Sequence, residues 1–488
     1  MVIQTLSPSL IFFLIRILTN DMKTHEKDIL LKYILLYWIE RQEFSMREEY
    51  ECQKNADPIR KKYRRMLYVL LALTILGIII YSYYKVNSMI PERIRIIAGK
   101  EQDFNLSVPM KADILSDNIS VTQQNKSNIQ DGSLNIDLSE PFSLQSDAIG
   151  SYKVVVKLFG WLSLKEISLD VIDTVEVIPC GGTIGITLNT DGILVLGTAK
   201  VTAKDGLNYD PSLSILKTGD YIMKANHQMI SSKEELIKLI QESNGNPISL
   251  SVLRNGVEVE VTVQPVETAD GEYKIGSWIR DDTQGIGTLT FVTTNGEFGA
   301  LGHGITDVDT GILMNVGEGN IYDAEIVNIV KGKSGTPGEL SGIIHESDNS
   351  MLGSIRVNTV QGIFGSVNTK NNVVKMVSNS IYTNPIPVGL KQDIKVGPAT
   401  ILCNVDGTIK EYNIKITEID FSNCQSKGLV IKITDHRLTE LTGGIVQGMS
   451  GSPIIQNGKL IGAVTHVFIR DATMGYGTFI ENMLQILQ

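Results

Sequence analysis

After Val266 the sequence is a succession of short runs rich in Val, Ile and Thr, broken by glycine turns, and helical periodicity enters only near Ile480 to Leu487. Runs of this kind between turn residues read as strands rather than helices. Some 222 residues built this way predict an all-β domain, because sheets of that extent must close or stack to bury their apolar faces. The fold class expected for the whole chain is therefore mainly β.

Inside that domain Gly448-Met449-Ser450-Gly451-Ser452-Pro453 leads into Ile454-Ile455-Gln456-Asn457-Gly458-Lys459-Leu460-Ile461-Gly462-Ala463-Val464. A glycine two before a serine and another directly after it let the backbone bend so that the hydroxyl projects, with the N–H groups of Gly448 and Ser450 aimed into one small hole. Such a hole stabilises a tetrahedral oxyanion, commonly by about 3 kcal/mol per donor. Ser452 lacks that flanking, so Ser450 is the candidate nucleophile and Gly448 and Ser450 the candidate oxyanion donors. A GxSGxP turn entering a strand, then an Asn-Gly hairpin and a second strand, is the arrangement around the nucleophile of chymotrypsin-like peptidases. As a bare pattern it also fits an ordinary Gly/Ser turn.

A serine nucleophile needs a base. His303, in Gly299-Ala300-Leu301-Gly302-His303-Gly304-Ile305, stands in a short apolar segment flanked by glycines, as expected of a base presented at a strand end. His345 and His436 lie in polar, loop-like surroundings, and His466 follows the strand after the nucleophile, where a substrate-binding wall would be. For the orienting carboxylate Asp435 fits best, at the end of the apolar run Ile431-Lys432-Ile433-Thr434, with Asp307, Asp309 and Asp323 as alternatives. Its short separation from Ser450 is unusual for a two-barrel peptidase. A metal hydrolase using His303, Asp307 and Asp309 lacks an HExxH or a second histidine at ligand spacing, so no cofactor is expected.

Upstream, residues 176–266 change to short strands with one helix. Thr183-Ile184-Gly185-Ile186 begins a strand, Ser231 to Glu242 has helical spacing with a serine cap, and Ile248 to Val263 folds back at Arg254-Asn255-Gly256. This order, with LKTGDYIMKANHQMISSKEELIKLI, resembles a PDZ domain of the bacterial protease type. Such domains add an extended peptide beside a helix and hold its carboxylate on backbone amides, here expected from Gly182, Thr183, Ile184, Gly185 and Ile186. A closed groove that binds nothing is the competing reading.

Residues 85–175 read as a small β module and linker, with the Ser- and Asn-rich stretch Ser116 to Asp147 as loop. Before it, Met66 to Tyr84 carries no charge over 19 residues, close to the ~20 that a membrane-spanning helix needs. Arg60, Lys61, Lys62, Arg64 and Arg65 precede it, which predicts a signal anchor with a cytoplasmic N-terminus and everything from Lys85 onward outside. The tail 1–65 looks unlike the rest, and a native start at Met46 or Met66 is one reading of it; sequencing the native N-terminus decides. The net charge of −10 argues against nucleic acid as a partner. Cys52, Cys180, Cys403 and Cys424 have no metal-ribbon spacing, and Cys403 and Cys424 read as buried thiols with pairing as the alternative.

The run GIVQGMSGSPIIQNGKLIGAVTHVF, together with ALGHGITDVDTG, the apolar segment and the PDZ-type pattern, resembles the stage IV sporulation protein B peptidase family of endospore-forming bacteria. The resemblance runs from Met66 to the C-terminus. It implies a chymotrypsin-like double β-barrel serine peptidase at 267–488, with His303, Asp435 and Ser450 at the family's catalytic positions. It further implies anchoring in the forespore membrane, action in the space between the two membranes, and cleavage of itself near the N-terminus. Its other substrate would be the regulatory subunit that holds an intramembrane metalloprotease inactive, so that a late sigma-factor precursor is processed. Met449 stands where digestive relatives carry the aspartate that pairs with a new N-terminus, so control by that ion pair is absent and the PDZ domain is the expected gate. A catalytically inactive PDZ scaffold is the alternative, and it predicts damage at His303 or Ser450, both of which are present.

Overall fold

The computed structural model describes residues 58–89, 93–104, 110–114, 120–123, 129–130, 133–158, 160, 162–367, 380–421 and 425–486. Cys52, Cys424 and most of the tail 1–65 lie outside them. The chain divides into two units, 1–83 and 84–488. A helix, Pro58–Met89, contains the whole Met66 to Tyr84 run. The anchor expected there is nevertheless not shown by the structure. Among the described residues no helix is long and apolar enough to cross a membrane, the side chains of Ile79 and Ser82 lying outside the description.

Among the described residues between 93 and 172, one sheet has Arg93–Ile97 running parallel to Leu162–Ile172, next to the antiparallel Gly150–Leu158 and Met110–Ile114. Strands also occupy Ser120–Gln123, Ser133–Asp137 and Phe142–Gln145, so the loop expected over Ser116 to Asp147 is corrected. Its polar composition masks a period of two: Ile136, Leu138, Phe142 and Leu144 alternate into the core with Ile96 and Leu169.

Two closed barrels follow. In the first, Thr183–Thr198, Ser277–Thr293, Glu297–Ala300, Gly362–Val367, Met351–Thr359 and Glu318–Val330 pair in that order, and the last pairs back onto the first. In the second, Gly397–Asn404, Ile409–Ile419, Leu429–Ile433, Met474–Phe479, Lys459–Val467 and Pro453–Gln456 close a ring. Each has its own core, Ile184, Leu289, Phe298 and Ile363 in the first and Ile401, Ile431, Ile454 and Val464 in the second. Met449 is fully buried in the latter, which explains an apolar residue at that place.

The PDZ-like module is inserted into the first barrel. Its strands Tyr221–Ala225, Ile248–Arg254 and Val257–Val263 extend the same sheet, with Asn255 (φ 51°) and Gly256 (φ 79°) supplying the left-handed turn of a tight hairpin. The helix Lys233–Glu242 starts at Ser232, whose side chain accepts from the Glu235 N–H at 3.3 Å, while the Glu235 carboxylate accepts from the Ser231 N–H at 2.8 Å. Two long strands join module to barrel. Thr183–Thr198 breaks register between Asn189 and Leu194; before the break Ile184 and Ile186 pack in the barrel, after it Ile193 and Val195 pack in the module.

That insertion corrects the expected peptide site. Ile184, Gly185 and Ile186 are paired on both edges, with Gly287, Ile286 and Gly285 on one side and Asp323, Tyr322 and Ile321 on the other. Thr183 pairs with Thr288, and the Gly182 carbonyl accepts from Leu289. Amides committed to sheet ladders cannot form a carboxylate nest. These residues are barrel strand, and Gly185 is glycine because a Cβ there would lie 2.5 Å from the Ile344 side chain.

Candidate active site

Ser450 sits on the turn between Val446–Gln447 and Pro453–Gln456. Gly448 (φ 97°) and Gly451 (φ 98°) take left-handed backbone that other residues rarely adopt. The turn is fastened to both barrels. Thr288 donates from its N–H to the Ser450 carbonyl at 3.0 Å and from its hydroxyl to the Gly448 carbonyl at 2.8 Å. Thr290 donates to the Gly451 carbonyl at 2.8 Å, and the Gly451 N–H reaches Val464 at 2.8 Å. Carbonyls are thus used up while two donors are left over. Among the described residues the N–H groups of Gly448 and Ser450 donate no hydrogen bond, the condition that an oxyanion hole requires.

His303 follows the barrel strand Glu297–Ala300 through Leu301 (φ 69°) and Gly302 (φ 70°). This kink brings it to the barrel that carries Ser450: a Cβ on Gly302 would lie 3.0 Å from Thr465, and one on Gly451 would lie 2.6 Å from the Leu301 nitrogen. The His303 Nδ1 faces the Gly304 carbonyl at 2.9 Å. That bond assigns the proton to Nδ1 and leaves the Nε2 lone pair free to act as a base. Burial lowers the pKa of His303 from its ordinary 6.5, the Gly304 carbonyl partly opposing it.

The Ser450 hydroxyl donates to the Thr465 carbonyl at 2.7 Å. No hydrogen bond joins Ser450 to His303 among the described residues, and such contacts are often long before substrate binds. Beside Thr465 stands a residue that sequence reasoning placed only as a substrate wall. The ring of His466 lies against that of His303, centroids 4.8 Å apart and tilted by 37°. Its Nδ1 is buried without a partner. Burial first, then the neighbouring His303 and Lys427, push its pKa down to about 4, so it is neutral at pH 7. Its distance of 16 positions from Ser450 in sequence carried no signal, because the contact crosses between barrels.

Among the described residues no hydrogen bond joins Asp435 to His303, whose Nδ1 faces the Gly304 carbonyl instead, so this geometry does not support Asp435 as the orienting carboxylate. It caps the helix His436–Thr442, accepting from the Arg437 N–H at 3.0 Å, and it holds the Arg437 guanidinium at 3.0 and 2.8 Å and the Asn413 N–H at 3.1 Å. The Arg437 bonds keep its carboxyl down at about 2 despite burial. A cap aspartate and a triad aspartate look alike in sequence, since both end an apolar run. The expected result is that Asp435→Ala loses about 1–3 kcal/mol of stability, through the cap and the stranded Asn413 N–H. Asp435→Ser, which keeps the cap, should stay within about tenfold of wild-type kcat, where loss of a triad member costs about 10⁴-fold. Chemical denaturation and peptidase assays on the pair separate the roles. Of the other candidates, Asp307 and Asp309 both pair with Arg280, and His436 is exposed beside Glu440 at 3.3 Å.

Residues 271–484 match the family model for the SpoIVB peptidase S55. Among solved structures the chain is similar to the PDZ domain of the SdrC-like protein from Listeria monocytogenes, at 20% identity over 18% of this chain and 87% of that one, with a TM-score of 0.15. It is also similar to the Rv3671c protease from M. tuberculosis in its active form, at 15% identity over 42% of this chain and 73% of that one (TM-score 0.23). The HtrA-type protease AlgW with decapeptide is similar at 11% identity over 43% and 53% of the two chains (TM-score 0.23). No curated protein matches.

Proposed function

We propose that the chain, whose residues 271–484 match the SpoIVB peptidase S55 model, is a membrane-anchored serine endopeptidase that signals by cutting itself and a partner membrane protein during sporulation. The observation that carries the catalytic reading is the Ser450 turn, whose Gly448 and Ser450 amides are left undonated while every neighbouring carbonyl is bonded. Ser450 is the nucleophile and His303 the base, with the Gly304 carbonyl holding the tautomer. Support for the anchor is the uncharged run Met66 to Tyr84 behind five basic residues, which would leave the barrels on the far side of the membrane, in the forespore intermembrane space. The partner substrate on this reading is the regulatory subunit of an intramembrane metalloprotease complex. The PDZ-like module gates the site, in keeping with Met449 in place of an ion-pairing aspartate.

The test is covalent. A fluorophosphonate probe should label the full-length chain in detergent micelles, and peptide mapping should find the adduct on Ser450. An adduct on another serine, or none, contradicts the assignment.

A further inference from the structure

The loop that carries His303 is held from two sides. From the first barrel, the Asn358 side chain accepts the Ile305 N–H at 2.8 Å and donates to the Ile305 and Met314 carbonyls at 2.8 and 2.9 Å. From the inserted module, the Tyr221 hydroxyl accepts the Asn315 N–H at 3.1 Å, and the Arg280 guanidinium pairs with Asp307 and, at 2.8 Å, with Asp309.

Asp307 organises this loop. One carboxylate oxygen accepts from the Asp309 N–H at 3.1 Å and from the Thr310 N–H and hydroxyl, each at 2.8 Å; the other takes Arg280. The side chain is 0% exposed. Burial alone would push its carboxyl up, but the Thr310 bonds and the Arg280 charge outweigh that and hold it below its ordinary value. A buried carboxylate that loses its counter-charge must rearrange or protonate, and His303 is four residues away along the same loop.

Arg280 comes from an unexpected place. Residues 277–280 of the strand Ser277–Thr293 pair antiparallel with Leu194 to Thr198 on one side, and Asp282 pairs with Asn189 beyond the register break. On the other side is the helix Lys233–Glu242, whose first N–H donates to Asp281 at 2.7 Å while the Lys233 ammonium bridges Asp281 and Asp282. A strand added to a sheet edge beside a helix is how a PDZ domain takes a peptide. Here the chain's own strand fills that position.

We infer that Arg280 and Asp307 are positioning residues of the peptidase: by clasping residues 277–282 in its groove, the PDZ-like module sets the His303 loop through the Arg280–Asp307 pair. This rests on His303 acting as the base for Ser450. The module is then a brace acting in cis, and anything that pulls 277–282 out of the groove loosens the base.

Fluorophosphonate inactivation of the full-length chain separates the maximal rate of Ser450 modification from the probe's binding constant. Arg280→Met should lower the maximal rate on the order of 10²-fold with binding unchanged, the scale expected when a reacting group is misplaced by about 1 Å. Arg280→Lys should recover to within about tenfold of wild type, since it restores the charge without the fork. Asp307→Asn, which keeps the loop's acceptor but removes the charge, should resemble Arg280→Met, and it carries the test if that variant fails to fold. Rates for both within about threefold of wild type would overturn the inference while leaving Ser450 and His303 in their roles. A wild-type chain that takes no label on Ser450 would overturn the peptidase reading itself.

Discussion

Replacing Ser450 by alanine should cut kcat/KM on a cleaved peptide by about 10⁶-fold, His303→Ala should do the same, and the double variant should be no slower than either. The non-additivity is the informative part. A base without its nucleophile, or a nucleophile without its base, has nothing left to lose, and what survives comes from the Gly448 and Ser450 amides and substrate binding. The wild-type pH profile checks the same assignment independently. Only neutral His303 can accept the serine proton. Burial lowers its pKa from 6.5, so it is protonated only as the pH falls through that lower value, and the acid limb of the profile should lie below the ordinary histidine midpoint. His466, already down at about 4, adds no charge beside it over that range. An acid limb centred above 6.5 would mean that a carboxylate supports His303, and the search for the third residue would return to Asp435.

What could be read from the sequence was local, and what could not was pairing between distant strands. The nucleophile turn was legible because its geometry is written in neighbouring residues: glycines at 448 and 451, and Asn457 (φ 53°) with Gly458 (φ 74°) in the hairpin beyond. The kink that carries His303 was legible for a similar reason, since glycine on either side marks a kinked strand end. Gly182 to Ile186 misled because a strand start after two glycines has the same local pattern whether it borders a peptide groove or closes a barrel. Only the ladder partners, 100 and more residues away at Gly285 to Thr288 and at Ile321 to Asp323, distinguish them. The same limit hid the stacking of His466 on His303 and the reach of Arg280 to Asp307. Asp435 was ambiguous for a different cause, because a carboxylate that ends a strand and begins a helix satisfies the local signature of either role.

Gly451→Ala should be the most damaging substitution that adds no more than a methyl group. A Cβ built on Gly451 lies 2.1 Å from the Thr288 carbonyl oxygen and 2.6 Å from the Leu301 nitrogen, both backbone atoms of the first barrel that no rotamer change can move aside. The left-handed φ of 98° adds its own strain. Together they should destabilise the protein by about 2–4 kcal/mol, from the backbone penalty and the overpacking. The turn can relieve the clash only by lifting away from Thr288 and Thr290, whose bonds to the Gly448, Ser450 and Gly451 carbonyls aim the oxyanion amides. Activity at a temperature where the variant is still folded should therefore fall by a further 10²- to 10³-fold or so, the cost of losing an oxyanion donor. Gly458→Ala is the control. Its φ of 74° imposes comparable backbone strain, but a Cβ there meets nothing within 4 Å, so it should lose about 1 kcal/mol and keep its kcat. Equal kcat in the two variants, measured below both unfolding transitions, would show that the turn's docking on the first barrel does not set the oxyanion hole.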